Sequence, residues 1–336
     1  YSKIIQQSKN SYFVNSQIFY KILKKLNVLY FSLFKKNFLF KISAHEDDFE
    51  PDWKKYDYFY NQEKILHLPK LDVEKGYSIL EKFGLKRKDK WICIFNRDAG
   101  YLKKQFPDKD FSYHDYRDFS IDDLKSSAEY FSNRGYYVFR VGKNPREKMS
   151  FSSNKIIDYS FSNIQSDFMD IFLLAECEFF FGGTSGISSV PLILRKPLFL
   201  INCIPIEGLF AYKRRQSCIF KRLKYKSTGK ILSIREMVKH KLVSGRDIQE
   251  FDNKNGFFYT NHLKRNEIEF LNNTKKEILD LAVEAVDRVN KNFNTDKIYE
   301  EKLNLFINEL KKNKYLRSMK IDNKIGKTFL ENTLIK

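Results

Sequence analysis

Cysteine is scarce and scattered. Cys93, Cys177, Cys203 and Cys218 are the four in 336 residues, with no CxxC pair and no histidine at ligand spacing. That excludes a disulfide framework and a zinc ribbon, and predicts buried free thiols in a reducing cytoplasm. Apolar residues never run unbroken for 18 positions, so no segment suits a transmembrane helix. Neither GxxxxGK[ST] nor GxGxxG occurs, which removes the fingerprints of P-loop ATPases and dinucleotide enzymes. No metal cluster stands out, and no cofactor is expected. Acidic residues are the other shortage: 42 Asp and Glu face 61 Lys and Arg, a net charge of +19. An anionic partner is therefore the first question.

Most of that positive charge is lysine, in a chain also crowded with Asn, Ile, Phe and Tyr, as AT-rich coding DNA would give. Nucleic-acid readers favour arginine forks, which argues against such a partner. With 42% hydrophobic and 16% aromatic residues, material for a core is ample and a disordered chain is excluded. The chain opens on Tyr1 without a signal-peptide pattern, which reads as a piece of something longer. In residues 18–42, Lys21, Lys24, Lys25, Ser32, Lys35 and Lys36 share one side of a helical wheel. Phe19, Ile22, Leu23, Leu26, Tyr30, Leu33 and Phe34 cover the other. Such a helix either packs on a domain or lies on an anionic membrane surface. The expected location is cytoplasmic, with peripheral attachment to the inner face of the membrane if the helix binds lipid.

Order resumes at Leu71, after an acidic, aromatic connector over residues 45–61. Periodicity predicts helices over 71–85, 121–133, 167–175 and 186–194, alternating with strands over 91–96, 136–141, 156–159, 178–181 and 198–202. Helices and strands in alternation, joined by short loops, argue for a doubly wound parallel sheet covered on both faces. A capping box from Thr274 to Glu277 predicts a further helix to Val289. Residues 213–241 read as a basic loop suited to a phosphorylated acceptor or lipid head groups, and the tail beyond Asn313 as frayed. The expected division is 1–70, an N-terminal basic segment and connector; 71–290, a nucleotide-binding lobe; and 291–336, a C-terminal helix and tail.

In such sheets ligands sit beyond the carboxyl ends of the strands. Three ends stand out. Arg97-Asp98-Ala99-Gly100-Tyr101 follows the first strand. Gly142 follows the second, with Arg140 near its end. Gly182-Gly183-Thr184-Ser185-Gly186 follows the fourth and opens a helix with Ser188 and Ser189 in its first turn. Glycine lets a backbone approach a ligand, while N–H groups and hydroxyls at a helix start hold phosphate; with arginine nearby, the set suits a diphosphate. Each feature also has a plain reading: turn chemistry for the glycines, a local ion pair for Arg97, a surface loop for His114, and a polar loop for the Asp108-Lys109-Asp110 spacing.

The runs LDVEKGYSILEKFGL, WICIFNRDAGYLKK, FSYHDYRDFSIDDLKSSAEYFSNRGYYVFRVG and DYSFSNIQSDFMDIFLLAECEFFFGGTSGISSVPLILRKPLFLINCIP together resemble a family of bacterial glycosyltransferase-like proteins of surface polysaccharide biosynthesis. The resemblance spans roughly residues 71–205 and extends more weakly to Val289. The RDxxY segment also resembles the HxRxxD element of fucosyltransferase-like enzymes, with Phe95 where that element has histidine. The resemblance implies a two-lobed fold of the glycosyltransferase B type, here with a short and incomplete first lobe. It implies transfer of a sugar from a nucleotide-sugar donor to a hydroxyl of a glycan or lipid-linked glycan acceptor. Arg97 and Asp98 would face the donor or the reacting centre, and Thr184, Ser185 and Gly186 its phosphates. Gly183, Ser188, Ser189, Tyr101, Arg140 and Gly142 complete the expected donor side. Tyr113, His114 and Arg117 match an SYHxYR-like segment of that family, and Asp167 and Asp170 an SDFMDI helix expected to support the site. Asp98 and His114 are the candidates for the general base. The rival functions are a sugar-nucleotide epimerase on the same fold, and a non-catalytic membrane-associated scaffold with a degenerate fold.

Overall fold

The computed structural model describes residues 66–206, 216–245, 267–317 and 324–333, with Asp247 and Leu263. The helix expected over 18–42 lies outside them. The chain divides into two units, Tyr1–Leu68 and Pro69–Lys336. Every described strand and helix belongs to the second unit.

Its strands are β1 (Trp91–Phe95), β2 (Tyr137–Arg140), β3 (Ile156–Ile157), β4 (Phe179–Gly182), β5 (Leu198–Cys203), β6 (Gln216–Phe220), β7 (Arg222–Tyr225), β8 (Ile268–Leu271) and β9 (Lys324–Ile325). The helices are α1 (Lys70–Lys82), α2 (Gly100–Gln105), α3 (Lys125–Asn133), α4 (Asp167–Glu176), α5 (Ser189–Ile193), α6 (Ile234–Lys239), α7 (Lys275–Val289), α8 (Lys297–Leu310) and α9 (Lys327–Thr333). Seven strands form one parallel sheet in the order β3-β2-β1-β4-β5-β6-β9, while β7 and β8 pair antiparallel apart from it. The chain builds outward from β1 through β2 to β3, returns to lay β4 beside β1, and builds outward the other way. The order therefore reverses between β1 and β4, the switch point of a Rossmann-like α/β fold.

Alternation along β1 assigns the faces. Trp91 Nε1 and Cys93 Sγ reach the Leu173 carbonyl of α4. Phe131 of α3 packs edge-on against Phe179 and Phe181, which pair with Ile92 and Ile94. Helices α3 and α4 therefore lie on opposite faces. Both faces of the central strands are buried, which is why they read as unbroken apolar runs. All four cysteines are buried and unpaired, as their apolar surroundings predicted.

Local chemistry sets the boundaries. Ser166 and Thr274 cap α4 and α7 by accepting the N–H groups of Met169 and Glu277, and Gly135 at φ +93° releases the chain into β2. The helix expected over 121–133 begins instead as a 3₁₀ turn, Ile121–Leu124. The one expected over 186–194 is a 3₁₀ turn, Gly186–Ser188, followed by α5. The strand expected over 156–159 stops at Ile157, because Tyr159 enters a 3₁₀ turn and fixes Ser166 through its hydroxyl. Two larger expectations are corrected. The described part of 213–241 is not a basic loop; it supplies β6, β7 and α6. The tail is not frayed beyond Asn313, since Leu316, Ile325, Phe329 and Leu330 are buried and β9 completes the sheet beside β6. Among the described residues no helix is long and apolar enough to cross a membrane.

Candidate functional site

The carboxyl ends of β1 and β4 meet at the switch point, and glycine makes that meeting possible. Gly183 N–H donates to the Phe95 carbonyl at 3.0 Å, and a Cβ on Gly183 would lie 2.6 Å from the Phe119 ring. Beyond it, Ser188 Oγ accepts from Ser185 N–H at 3.2 Å and donates to the Ser185 carbonyl at 2.6 Å. Ser188 is buried, so its hydroxyl serves the turn and does not face a ligand. Thr184, Ser185 and Ser189 are half-buried and Gly186 is exposed. A Cβ on Gly186 would meet nothing within 4 Å. Among the described residues the N–H groups of Gly186 and Ile187 have no acceptor, as the first turn of a helix dictates.

Across the switch point, the chain after β1 folds back over the sheet edge. Phe119 N–H donates to the Arg97 carbonyl at 3.2 Å, and Asn96 Nδ2 donates to the Phe119 carbonyl at 3.1 Å. These bonds hold the 3₁₀ segment Ser112–Arg117 beside Arg97. Arg97 is buried, pairs with the Asp118 carboxylate, and donates to the His114 carbonyl at 3.1 Å. The local ion pair is thus real, and it leaves Arg97 at the edge of the sheet rather than inside the core. Burial and the nearby Arg117 pull its pKa down to about 10.

His114 lies against Tyr113 with ring centroids 4.1 Å apart and planes tilted by 45°, and its Nδ1, like Nε of Arg117, is buried with no hydrogen-bond partner among the described residues. Burial first, then Arg117 and Arg97, lower the His114 pKa to about 4, so the imidazole is neutral at pH 7. A bound diphosphate would offset those two cations. An opposite charge within about 4–6 Å moves a pKa by about 1–3 units, so the His114 resonance, assigned with His114→Gln, is expected to titrate at least about one unit higher with saturating pyrophosphate. An unchanged midpoint by NMR would place the anion elsewhere.

Other expected site residues lie where their geometry gives them structural work. Arg140 is only 1% exposed. Its Nη1 donates to the Glu147 carbonyl at 2.8 Å and to Asp158 at 3.3 Å, and its Nη2 donates to Asn96 Oδ1 at 3.1 Å. The fork is used inside the fold, which corrects its placement on the donor side. Asp98 accepts the Gly100 N–H at 2.8 Å and the Arg146 N–H at 3.1 Å. With one backbone donor on each oxygen it pins two loops together and is poorly placed to take a proton. Gly142 turns the chain after β2 at φ +123°, and a Cβ there would lie 3.0 Å from the Phe95 ring. Tyr101 is exposed on α2. Asp167 is exposed and pairs with Lys143 at 2.7 Å. Asp170 sits half-buried beside Tyr159 and Gln165, its carboxyl pushed up by burial. Asp110 of the DxD spacing caps the turn at Ser112.

One residue that the motifs did not single out completes the edge. Lys221, between β6 and β7, reaches back to donate to the Asp118 carbonyl at 3.0 Å. Burial and Arg97 bring its pKa down to about 8. An apolar run ended by a single lysine, CIFK, was its sequence signal, hidden among the other lysines of that stretch.

No family model, curated protein or solved structure matches this chain.

Proposed function

We propose that the chain is a glycosyltransferase that moves a sugar from a nucleotide-sugar donor to a hydroxyl of a surface glycan or lipid-linked acceptor, on a fold of the glycosyltransferase B type. The observation that carries this reading is the adjacency, at the switch point, of the open glycine turn Thr184–Gly186 and a cationic edge made by Arg97, Arg117 and Lys221. As the bond from sugar C1 to the donor phosphate breaks, negative charge gathers on the leaving phosphate, and preorganised cations at a desolvated edge stabilise that charge. His114 is the better placed acceptor for the proton of the incoming hydroxyl. It is neutral, its Nδ1 has no partner among the described residues, and a bound anion would raise its low pKa toward the operating range. Asp98 holds the loops that shape the edge.

Incubation of the full chain with UDP-, GDP-, dTDP- and CMP-sugars and bacterial glycan acceptors, followed by mass spectrometry, tests the reading. Sugar transfer or acceptor-dependent nucleotide release supports it. Interconversion of the nucleotide sugar without an acceptor would favour the epimerase instead, and nucleotide binding with no turnover a non-catalytic scaffold.

A further inference from the structure

A row of rings in successive contact leads from the surface to His114. Phe106, which ends α2, is 40% exposed. Its ring centroid lies 5.7 Å from that of Phe111, Phe111 lies 6.1 Å from Tyr113, and Tyr113 meets His114 at 4.1 Å. Phe111, Tyr113 and His114 are half-buried. Short turns fix the row. Phe106 N–H donates to the Leu102 carbonyl at 2.9 Å, Lys109 N–H to the Phe106 carbonyl at 3.2 Å, and His114 N–H to the Phe111 carbonyl at 2.9 Å. Aromatic side chains held this way offer a large contact area with little conformational entropy left to lose on binding. Proton transfer at His114 has no use for the other three rings.

The polar residues along the row point to its occupant. Asp108, Lys109, Asp110 and Asp115, interspersed with these aromatics in the chain, are all exposed. Lys109 Nζ stands 5.3 Å from the Phe106 centroid, and Asp110 accepts the Ser112 N–H at 2.8 Å. An acyl chain would have to desolvate charges of both signs. A nucleic-acid strand would bring its phosphates against three carboxylates. A sugar suits both features, because its C–H face is apolar while its hydroxyls donate to carboxylates and accept from an ammonium. We propose that this row is an acceptor subsite, on which successive units of an oligosaccharide stack so that the terminal hydroxyl arrives at His114. The inference rests on the transferase reading above and names the form of its acceptor, an oligosaccharide of several units rather than a single sugar.

Saturation-transfer NMR and calorimetric titration of the full chain test this, with the monosaccharides and tetrasaccharides of glucose, galactose, N-acetylglucosamine and galacturonic acid as probes. Stacking on more than one ring should make at least one tetrasaccharide bind about tenfold or more tightly than its monosaccharide. Loss of one aromatic contact corresponds to about 2- to 10-fold, so Phe106→Ala should weaken that tetrasaccharide by this factor and narrow its advantage over the monosaccharide. Phe106→Tyr keeps the ring and should keep the affinity. Failure of every tetrasaccharide to bind, or equal tetrasaccharide affinity in wild type and Phe106→Ala, overturns the proposal.

A measurement on the unaltered protein guards against a misfolded variant. With phenylalanine labelled by carbon-13, the ring resonances of Phe106 and Phe111 should move on addition of the tetrasaccharide. Shifts confined to other phenylalanines contradict the proposal. Movement of the Phe106 resonance with UMP and with none of the sugars would make the row a platform for a nucleotide base, and also overturns it. Sugar transfer whose KM for the oligosaccharide is unchanged in Phe106→Ala would defeat this inference alone. Oligosaccharide binding that depends on Phe106, without transfer from any nucleotide sugar, would defeat only the transferase reading.

Discussion

Arg140→Met should lower the stability of the fold by about 3–5 kcal/mol, the range for removing one partner of a buried ion pair. The arginine is 1% exposed and joins three separate pieces of chain: Asn96 after β1, the Glu147 carbonyl, and Asp158 after β3. Methionine fills much of the volume but leaves Asp158 with only the Met149 N–H at 2.8 Å and Asn96 Oδ1 without its donor. Lysine keeps the charge yet lacks the planar fork that reaches all three acceptors, so Arg140→Lys should recover only part of the loss. Urea denaturation of the three proteins checks this. A midpoint within error of wild type for Arg140→Met would mean that the buried network does not hold the carboxyl edge together, and a ligand role for Arg140 would return.

Gly182→Ala should cost about 3 kcal/mol or more, the upper end of what overpacking a filled interior costs. A Cβ there would sit 2.1 Å from the Phe95 carbonyl oxygen and 2.9 Å from its N and C atoms. The obstacle is backbone of a paired central strand, and Phe95 and Gly182 are register partners between β1 and β4, so relief requires breaking the ladder at the switch point. Thermal denaturation should show a large fall in Tm. Retention of the wild-type Tm would contradict the close approach of β1 and β4 on which the site is built.

Sequence reasoning found the sheet because its strands are buried on both faces. Runs such as WICIF and EFFF have no other stable setting among helices of 3.6 period, and the short loops between them forced parallel crossovers. It placed the glycine turn and Arg97 at strand ends because both follow apolar runs directly. It could not tell Gly182 and Gly183, which packing requires, from Gly186, which nothing crowds, since that distinction depends on Phe95 and Phe119 from distant parts of the chain. Arg140 was misjudged for the same reason: its partners Asn96 and Asp158 are far from it in sequence. The strands β6 and β7 are hidden within residues 213–241, expected as a basic loop, because Lys and Arg mask the alternation of QSCIF and RLKY. Lys221 and the edge strand β9 went unnoticed with them.

The most direct test of the central claim, that the turn at the switch point receives the donor phosphates, is calorimetric titration of nucleoside-diphosphate sugars against wild type and Gly186→Val. No atom lies within 4 Å of the new Cβ, so the fold should tolerate the change within about 0.5 kcal/mol, as for surface substitutions away from special features. The branched side chain would nonetheless stand over the N–H groups of Gly186 and Ile187, and loss of charge-assisted bonds of about 1.5–3 kcal/mol implies affinity about tenfold or more weaker. An unchanged Tm with that loss of affinity is the predicted result. An unchanged Tm with unchanged affinity would show that the donor does not bind at this turn.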